Sequence, residues 1–467
     1  MIDDTSLDDT SARRLAGALI SLIESARHRV TTGDRSEVVG LITDHIGCAL
    51  AQLPHVSTAF DRWEHVNLHL GVARYLESHG TEGDWFGVTG SMHGHQDLLD
   101  MLSLAERRGQ YELGPVEYTT TATGPDTAID VIQFGLVRTR SADGEPVVIA
   151  LRGPAEHSPE PRCLLRVLAA DRTVATAVRE EVERLVGAVD IHRGQLLAFD
   201  ISEYRGNEMV SFLPRPELTA HDVVLPDGVL DGIERHVVRN AQRGEQLKRH
   251  GQHLKRGILL YGPPGTGKTH TVRYLMSRVT DATIVVLSGR ALARFLPAAV
   301  TVARKLQPSV LVMEDVDLVA EDRSYNSSSP VLFELLNRID GVSRDADVTF
   351  VLTTNRVEAV ERALSERPGR VDLAVEVPKP DAVGRERLLR LYAEHTELAL
   401  PDASRLIAGT DGVTASFIRE LVRRAVSARL DADGDVDRVR LDEPTLRAAL
   451  DELLEQRNKL TRSIIGG

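Results

Sequence analysis

The chain has 467 residues, more than one hydrophobic core usually supports, so we expect about two to four domains of roughly 100–200 residues each. Its 69 acidic and 56 basic residues give a formal net charge of −13. This charge is unfavourable for a general polyanion binder, so nucleic acid is not the expected partner.

The two cysteines, Cys48 and Cys163, form neither a CxxC pair nor a zinc-binding spacing. This indicates a reduced, cytoplasmic setting. Residues 1–11 are acidic where a secretory signal would be basic. No apolar run approaches the ~20 residues that span a bilayer, so we expect no membrane segment.

In chain order, apolar residues recur at helical spacing near the start, for example at Leu15, Leu19 and Leu22. Residues 128–138 and 146–152 have the pattern of two strands of a hairpin. A later alternation of strands and helices predicts an α/β domain with a parallel sheet covered by helices on both faces. The predicted division is a helical N-terminal region (1–82), an α+β domain (83–200), a linker (201–220), an α/β domain (221–380) and a helical C-terminal domain (381–467).

A glycine-rich loop in the α/β domain matches the phosphate-binding pattern G-x-x-x-x-G-K-[ST]. An apolar run, 257–261, precedes the loop and a helical stretch, 270–278, follows it. Glycines let backbone N–H groups surround phosphate oxygens at a helix N-terminus. Lys268 is expected to reach the β- and γ-phosphates, and the Thr269 hydroxyl to bind Mg²⁺. The alternative is a simple glycine-rich turn. The predicted cofactor-binding residues of the loop are Gly262, Pro263, Pro264, Gly265, Thr266, Gly267, Lys268 and Thr269.

Polar side chains follow two predicted strands downstream of this loop. Glu314 and Asp315 come after the strand 310–313, and Asn355 follows the strand 348–352. Because ligands bind beyond the carboxyl ends of parallel strands, we expect the acids to hold Mg²⁺ and polarise a water molecule, and Asn355 to orient that water. The alternative for Asn355 is a cap on a turn.

The order of these motifs resembles the AAA family of ATPases from about residue 222 to the C-terminus. The resemblance is carried by HLKRGILLYGPPGTGKT, VLVMEDVD, LLNRIDG, LTTNR and RPGRVD. It implies that Asn355 is the family's sensor residue and that Arg367 and Arg370 are arginine fingers, which act on ATP bound by the neighbouring subunit. It also implies that Asp222 and Val223 lie beside the adenine, and that residues 412–416 open a helical lid.

The chain departs from the family pattern in two informative places. The usual order of acids is Asp-Glu, whereas here Glu314 precedes Asp315. When the two positions are matched to the family, Glu314 would bind the Mg²⁺ ion and Asp315 would polarise the attacking water. The two roles could also be exchanged. The segment 289–304 is several residues shorter than the corresponding segment of threading unfoldases. Of their aromatic-apolar-glycine pore loop, only Phe295 and Leu296 have a counterpart here. Both features resemble the mitochondrial AAA translocase of the Rieske protein, without its membrane helix.

The resemblance implies an ATP- and Mg²⁺-dependent ATPase that assembles as a homo-oligomeric ring, a hexamer. The N-terminal region would then bind an unidentified protein partner, which hydrolysis would remodel. An alternative is a switch or scaffold that ATP controls without mechanical work. A third interpretation is a nucleic-acid motor, which the acidic composition disfavours.

Overall fold

The computed structural model describes residues 36–79, 84–90, 96–108, 110–155, 161–199, 210–317, 342–343, 345–356, 371–434 and 436–465. The chain divides into two compact units, and the second begins at His192. Within the described residues, no helix is both long and apolar enough to cross a membrane.

The first unit is built on an antiparallel sheet with helices on both faces. Its strands are β1 (His55–Asp61), β2 (Asp84–Thr89), β3 (Glu112–Gly114), β4 (Glu117–Ala122), β5 (Ala128–Arg140), β6 (Pro146–Arg152) and β7 (Arg162–Ala169). Its helices are α1 (Glu37–Ile46), α2 (His65–Ser78), α3 (Leu98–Arg108) and α4 (Arg172–Ala188), with 3-10 turns at Leu50–Gln52 and Arg62–Glu64. The strand order is β1-β7-β6-β5-β2-β3, and β4 pairs with β5.

Strand β6 shows how the first unit is packed. Val147 and Ile149 lie in one hydrophobic core with α2 and α4, whereas Val148 lies in a second core with α1 and α3. The sheet is therefore buried on both faces, because successive side chains of a strand point to opposite sides. The predicted boundary at residue 82 differs from this arrangement. The segment 36–82 contains β1, which pairs with β7, so its helices pack on the same sheet as residues 84–188.

The second unit contains a larger sheet and a helical C-terminal part. Its strands are β8 (Leu196–Phe199), β9 (Val210–Leu213), β10 (Arg256–Tyr261), β11 (Thr283–Ser288), β12 (Ser309–Glu314), β13 (Val348–Thr354), β14 (Leu373–Glu376), β15 (Glu397–Ala399) and β16 (Arg440–Asp442). Its helices are α5 (Val229–Glu234), α6 (Asn240–Gln242), α7 (Gly244–Arg249), α8 (Lys268–Arg278), α9 (Gly289–Lys305), α10 (Ala382–Tyr392), α11 (Ser404–Gly409), α12 (Ala415–Asp433) and α13 (Glu443–Ile465), with a π-helical turn at Arg235–Arg239 and a 3-10 turn at Ala220–Asp222.

The sheet of the second unit has the order β14-β10-β13-β12-β11-β8-β9. Its neighbouring strands are parallel, except for the antiparallel pair β8 and β9. The strands β10, β12 and β13 are buried along almost their whole length, as expected for a parallel sheet covered on both faces. The predicted fold class, an α/β domain with a parallel sheet and helices, is confirmed.

The predicted linker at 201–220 and the boundary at residue 200 differ from the observed sheet. Strand β8 pairs in parallel with β11, and β9 pairs with β8. Beyond β9, the Arg215 guanidinium donates to the carbonyls of Gly194 at 2.7 Å and Ala282 at 3.1 Å. Strands β8 and β9 are therefore part of the sheet of the second unit. The pairing of β8 with β11, which is distant in sequence, holds this short apolar segment in place.

Residues 382–465 form a helical subdomain with a hydrophobic core of its own. We call it the lid. It contains α10 to α13, together with a short parallel pair of strands, β15 and β16. The sequence predicts only helices here, and the two three-residue strands are too short to leave a period-two pattern.

Phe295 and Leu296, the two residues that resemble part of a pore loop, lie in a continuous helix, α9, which contains Pro297. Phe295 is 9% exposed and Leu296 is 3% exposed. The Phe295 ring lies 5.9 Å from the ring of Phe199 on β8. Both side chains therefore belong to the hydrophobic core of the described structure.

Because Phe295 is buried, Phe295→Ala is expected to destabilise the second unit by about 3 kcal/mol through lost burial and a residual cavity. The measurement is thermal or urea unfolding. Phe212→Ala on β9 is the matched control, since Phe212 is only half-buried and should lose less stability. Equal, small losses in both variants would contradict the core assignment.

Candidate nucleotide-binding site

The loop between β10 and α8 depends on three glycines with positive φ. Gly262, Gly265 and Gly267 have φ of 147°, 78° and 111°. A Cβ at Gly262 would overlap the carbonyl of Val377, and one at Gly265 would overlap the Ser416 hydroxyl. Only glycine fits these positions. The loop leads directly into α8, so its backbone N–H groups lie at a helix N-terminus, which favours an anion.

Lys268 is buried inside this loop, with 5% of its surface exposed. Its Nζ donates to the carbonyls of Gly262 at 2.7 Å and Pro263 at 2.9 Å. Burial lowers the pKa of Lys268, while the nearby carboxylates of Asp315 and Asp317 oppose that shift. The ammonium group therefore lies between the loop and the acids, where a phosphate group could replace its carbonyl partners.

Thr269 lies at the start of α8, and Glu314 lies at the end of β12. Burial raises the pKa of Glu314, and the nearby Thr269 hydroxyl opposes that shift. A hydroxyl and a carboxylate side by side suit Mg²⁺, which takes oxygen ligands and often only one or two from protein. No cluster of three or more His, Cys, Asp or Glu residues in the described ranges suits a metal. The predicted pair therefore fits a magnesium ion that completes its shell with phosphate and water.

The structure also brings Asp315 and Asn355 together. The Asn355 Nδ2 donates to Asp315 Oδ1 at 3.2 Å. The Asn355 backbone N–H donates to Asp317 Oδ1 at 3.1 Å, and the same oxygen accepts the Thr354 hydroxyl at 3.0 Å. The 6% exposed Asp317 thus holds the end of β13 in place. Its role was not predicted, although it is the third acid of the sequence EDVD.

A cleft of about 290 Å³ lies beside the loop. Its walls are residues 224–227, residues 378–388 in part, Thr266, and Ala415 at the start of α12. Asp222 and Val223, which the resemblance places beside the adenine, come just before this wall. The Asp222 carboxylate accepts the N–H of Thr219 at 2.7 Å, and Val223 is 4% exposed. Asp222 is therefore a turn cap, and the cleft begins at Val224.

The lid contacts the loop directly. The Ser416 N–H donates to the Gly265 carbonyl at 3.1 Å, and its hydroxyl is 3.2 Å from the same oxygen. The predicted lid-opening turn, 412–416, thus leads into α12 beside the phosphate loop. Two further predicted residues, Arg367 and Arg370, lie outside the described residues.

A glycine loop before a helix, a buried lysine and a threonine–glutamate pair at the end of a parallel strand define a P-loop nucleotide-binding domain. Residues 258–379 match the family model described as "ATPase family associated with various cellular activities (AAA)". The second unit therefore contains an AAA domain.

Several curated proteins are similar to this chain. One is 26S proteasome regulatory subunit 6A of Encephalitozoon cuniculi, 30% identical over 38% of this chain and 48% of the relative. Another is proteasome-activating nucleotidase 1 of Halobacterium salinarum, 30% identical over 36% and 45%. A third is ATP-dependent zinc metalloprotease FtsH 3 of Sphaerobacter thermophilus, 29% identical over 55% and 54%. The chain spans about half the length of these relatives.

Because Lys268 is the cation inside the loop, Lys268→Ala is expected to weaken ATP binding by roughly tenfold or more, the usual effect of losing a charged hydrogen bond. The measurement is titration with a fluorescent ATP analogue. Lys248→Ala, at an exposed lysine on α7, is the control and should bind normally. Unchanged affinity in Lys268→Ala would refute the assignment of the loop.

Proposed function

We propose that this protein binds ATP with Mg²⁺, hydrolyses it, and uses the energy to remodel a protein partner as a ring-shaped homo-oligomer, a hexamer. The observation that carries the proposal is the convergence of one loop and two strand ends. Lys268 and Thr269 on the loop face Glu314 and Asp315, and Asp315 contacts Asn355.

Each of these groups has a chemical task in the proposed reaction. The loop N–H groups and Lys268 bind the β- and γ-phosphates. Thr269 and Glu314 would hold Mg²⁺, which neutralises charge on the phosphate oxygens when bound. The Asp315 carboxylate accepts a hydrogen bond from the attacking water, and Asn355 fixes the orientation of that carboxylate. Two observations support this division of labour: the Thr269 hydroxyl lies near enough to Glu314 to lower its pKa, and the Asn355 amide donates to Asp315.

Arg367 and Arg370 complete the proposal as arginine fingers for the neighbouring subunit, on the basis of the RPGR motif. A guanidinium delivered in this way stabilises the charge of the transferring phosphoryl group. A ring is therefore needed for turnover. The names of the relatives, regulatory subunits of the proteasome and an ATP-dependent protease, support a protein as the partner.

The first unit, with no nucleotide motif of its own, is the proposed partner-binding region. The order of Glu314 and Asp315 and the short segment 289–304 resemble the Rieske translocase, which suggests a partner that is moved without threading. The burial of Phe295 supports this, because a buried side chain cannot grip a threaded chain. We place the protein in the cytoplasm because Cys48 and Cys163 are free thiols.

A pull-down with an ATP-trapped variant should identify the partner, which should then stimulate hydrolysis. Slow turnover that no partner stimulates would favour the switch.

Neutralising each of the two acids, Glu314 and Asp315, is expected to impair a different step of ATP hydrolysis. Asp315→Asn should bind ATP normally and hardly hydrolyse it, because the amide cannot polarise water. Glu314→Gln should raise the Mg²⁺ concentration needed for half-maximal turnover. Binding of labelled ATP and turnover against Mg²⁺ distinguish the variants. If Glu314→Gln traps ATP while Asp315→Asn loses its Mg²⁺ response, the two roles are exchanged.

The fingers are expected to act between subunits. Arg367→Ala should lower turnover on the order of 10³-fold while ATP binding survives, and Arg370→Ala should behave similarly or more mildly. Mixing inactive Lys268→Ala and Arg367→Ala subunits should restore part of the activity, because some interfaces then combine an intact loop with an intact finger. The measurement is turnover against mixing ratio, with ring size from light scattering. A monomer with full activity would contradict the mechanism.

A further inference from the structure

Asp315 has an unusual backbone conformation. Its φ is 51°, and it is the one non-glycine residue with positive φ among the described residues. The left-handed region is unfavourable for most residues with a Cβ, and Asp is among the few that adopt it more readily. Such strain persists only where surrounding contacts enforce it, and it is concentrated at functional sites. The contacts that hold Asp315 are therefore informative.

Two backbone N–H groups at this turn donate to one residue, Thr353, near the end of β13. The Asp315 N–H donates to the Thr353 hydroxyl oxygen at 2.9 Å, and the next N–H, that of Val316, donates to the Thr353 carbonyl at 3.0 Å. The parallel pairing of β12 and β13 ends just before, at Met313 and Leu352. Two consecutive amides thus bind two oxygens of one residue where the ladder stops.

The hydroxyl of Thr353 has a task that its backbone cannot perform. The Thr353 carbonyl accepts the N–H of Val316, and the N–H of Asp315 donates instead to the Thr353 hydroxyl. Thr353 is fully buried and Asp315 is half-buried, so removing the hydroxyl would take a partner from a partly shielded N–H, which is costly. Without this hydroxyl, the chain would have to turn differently after β12, and the Asp315 carboxylate would leave the amide of Asn355, now 3.2 Å away.

From this geometry we infer that Thr353 is a positioning residue for ATP hydrolysis. Its hydroxyl holds Asp315 in the left-handed conformation that directs the carboxylate to Asn355 and the phosphate loop. The inference rests on the proposed function, because it assigns Thr353 to the water-polarising acid. Thr353 itself contacts neither nucleotide nor water in this assignment.

The chain offers a matched control on the same strand. Thr349 lies four residues before Thr353, so the two side chains point to the same face of β13. Thr349 is 1% exposed, and its hydroxyl accepts a hydrogen bond from Arg256 Nε at 3.2 Å, at the opposite end of the strand. Thr349→Val therefore removes an equally buried, bonded hydroxyl without touching Asp315.

The experiment compares Thr353→Val, Thr353→Ser and Thr349→Val in the full chain. Thr353→Val should lower kcat roughly tenfold, the effect of one lost hydrogen bond, with KM and the affinity for a fluorescent ATP analogue unchanged. Thr353→Ser keeps the oxygen and should retain activity. Thr349→Val should retain kcat whatever its stability. Full kcat in Thr353→Val, or equal loss of kcat in Thr353→Ser or Thr349→Val, would overturn the inference.

A second readout needs no turnover. Hydrogen exchange of the peptide 310–317 in the nucleotide-free protein should be faster in Thr353→Val and unchanged in Thr353→Ser and Thr349→Val. Unchanged exchange in Thr353→Val would also overturn the inference. If the wild-type ring hydrolyses no ATP, the proposed function fails, while the exchange result still decides whether Thr353 holds Asp315. If the valine variant does not fold, Thr353→Ala removes the hydroxyl without the added methyl group.

Discussion

The candidate site depends on the in-register parallel pairing of β10, β12 and β13. This pairing aligns Tyr261 with Thr354, and Met313 with Leu352. The residues that follow, the phosphate loop, the two acids and Asn355, therefore meet at one edge of the sheet, as parallel α/β sheets require of their binding sites. Three segments that lie far apart in sequence can therefore contribute side chains to one site, because the strands that precede them end at the same edge of the sheet.

Charge balance is the second requirement of this edge. Lys268 is nearly fully buried, and an isolated buried ammonium would be strongly unfavourable. The carboxylates of Asp315 and Asp317 lie near enough to oppose the shift that burial imposes on the pKa of Lys268. Burial also raises the pKa of Glu314, whose neighbour Asp315 adds to that shift. Asp315 and Asp317 are thus the acids that offset the burial of Lys268.

The elements that local pattern determines were predictable. The loop, the apolar strands and the strand-end acids follow from short motifs. The structure places Lys268 and Thr269 on the loop, and Glu314, Asp315 and Asn355 at the ends of β12 and β13. Long-range pairing was not predictable: β8 looks like an isolated apolar segment until it meets β11. Nor was Thr353, because its importance depends on the φ of Asp315, which no composition or spacing reveals. The roles of Arg367 and Arg370 remain predictions.

Helix α8 is the element that joins the loop to the rest of the second unit. At its start, the Gly265 carbonyl is bound by Ser416 of the lid. Along its length, His270 bonds to the Asp222 carbonyl at 2.8 Å, and Ser277 bonds to the Leu218 carbonyl at 2.8 Å. At its end, Arg215 binds the Met276 carbonyl at 3.2 Å. Segments from before and after the AAA domain are thus fastened to the same helix. Hydrogen bonds from the lid and from the segment that follows β9 therefore hold the phosphate loop and α8 in their positions.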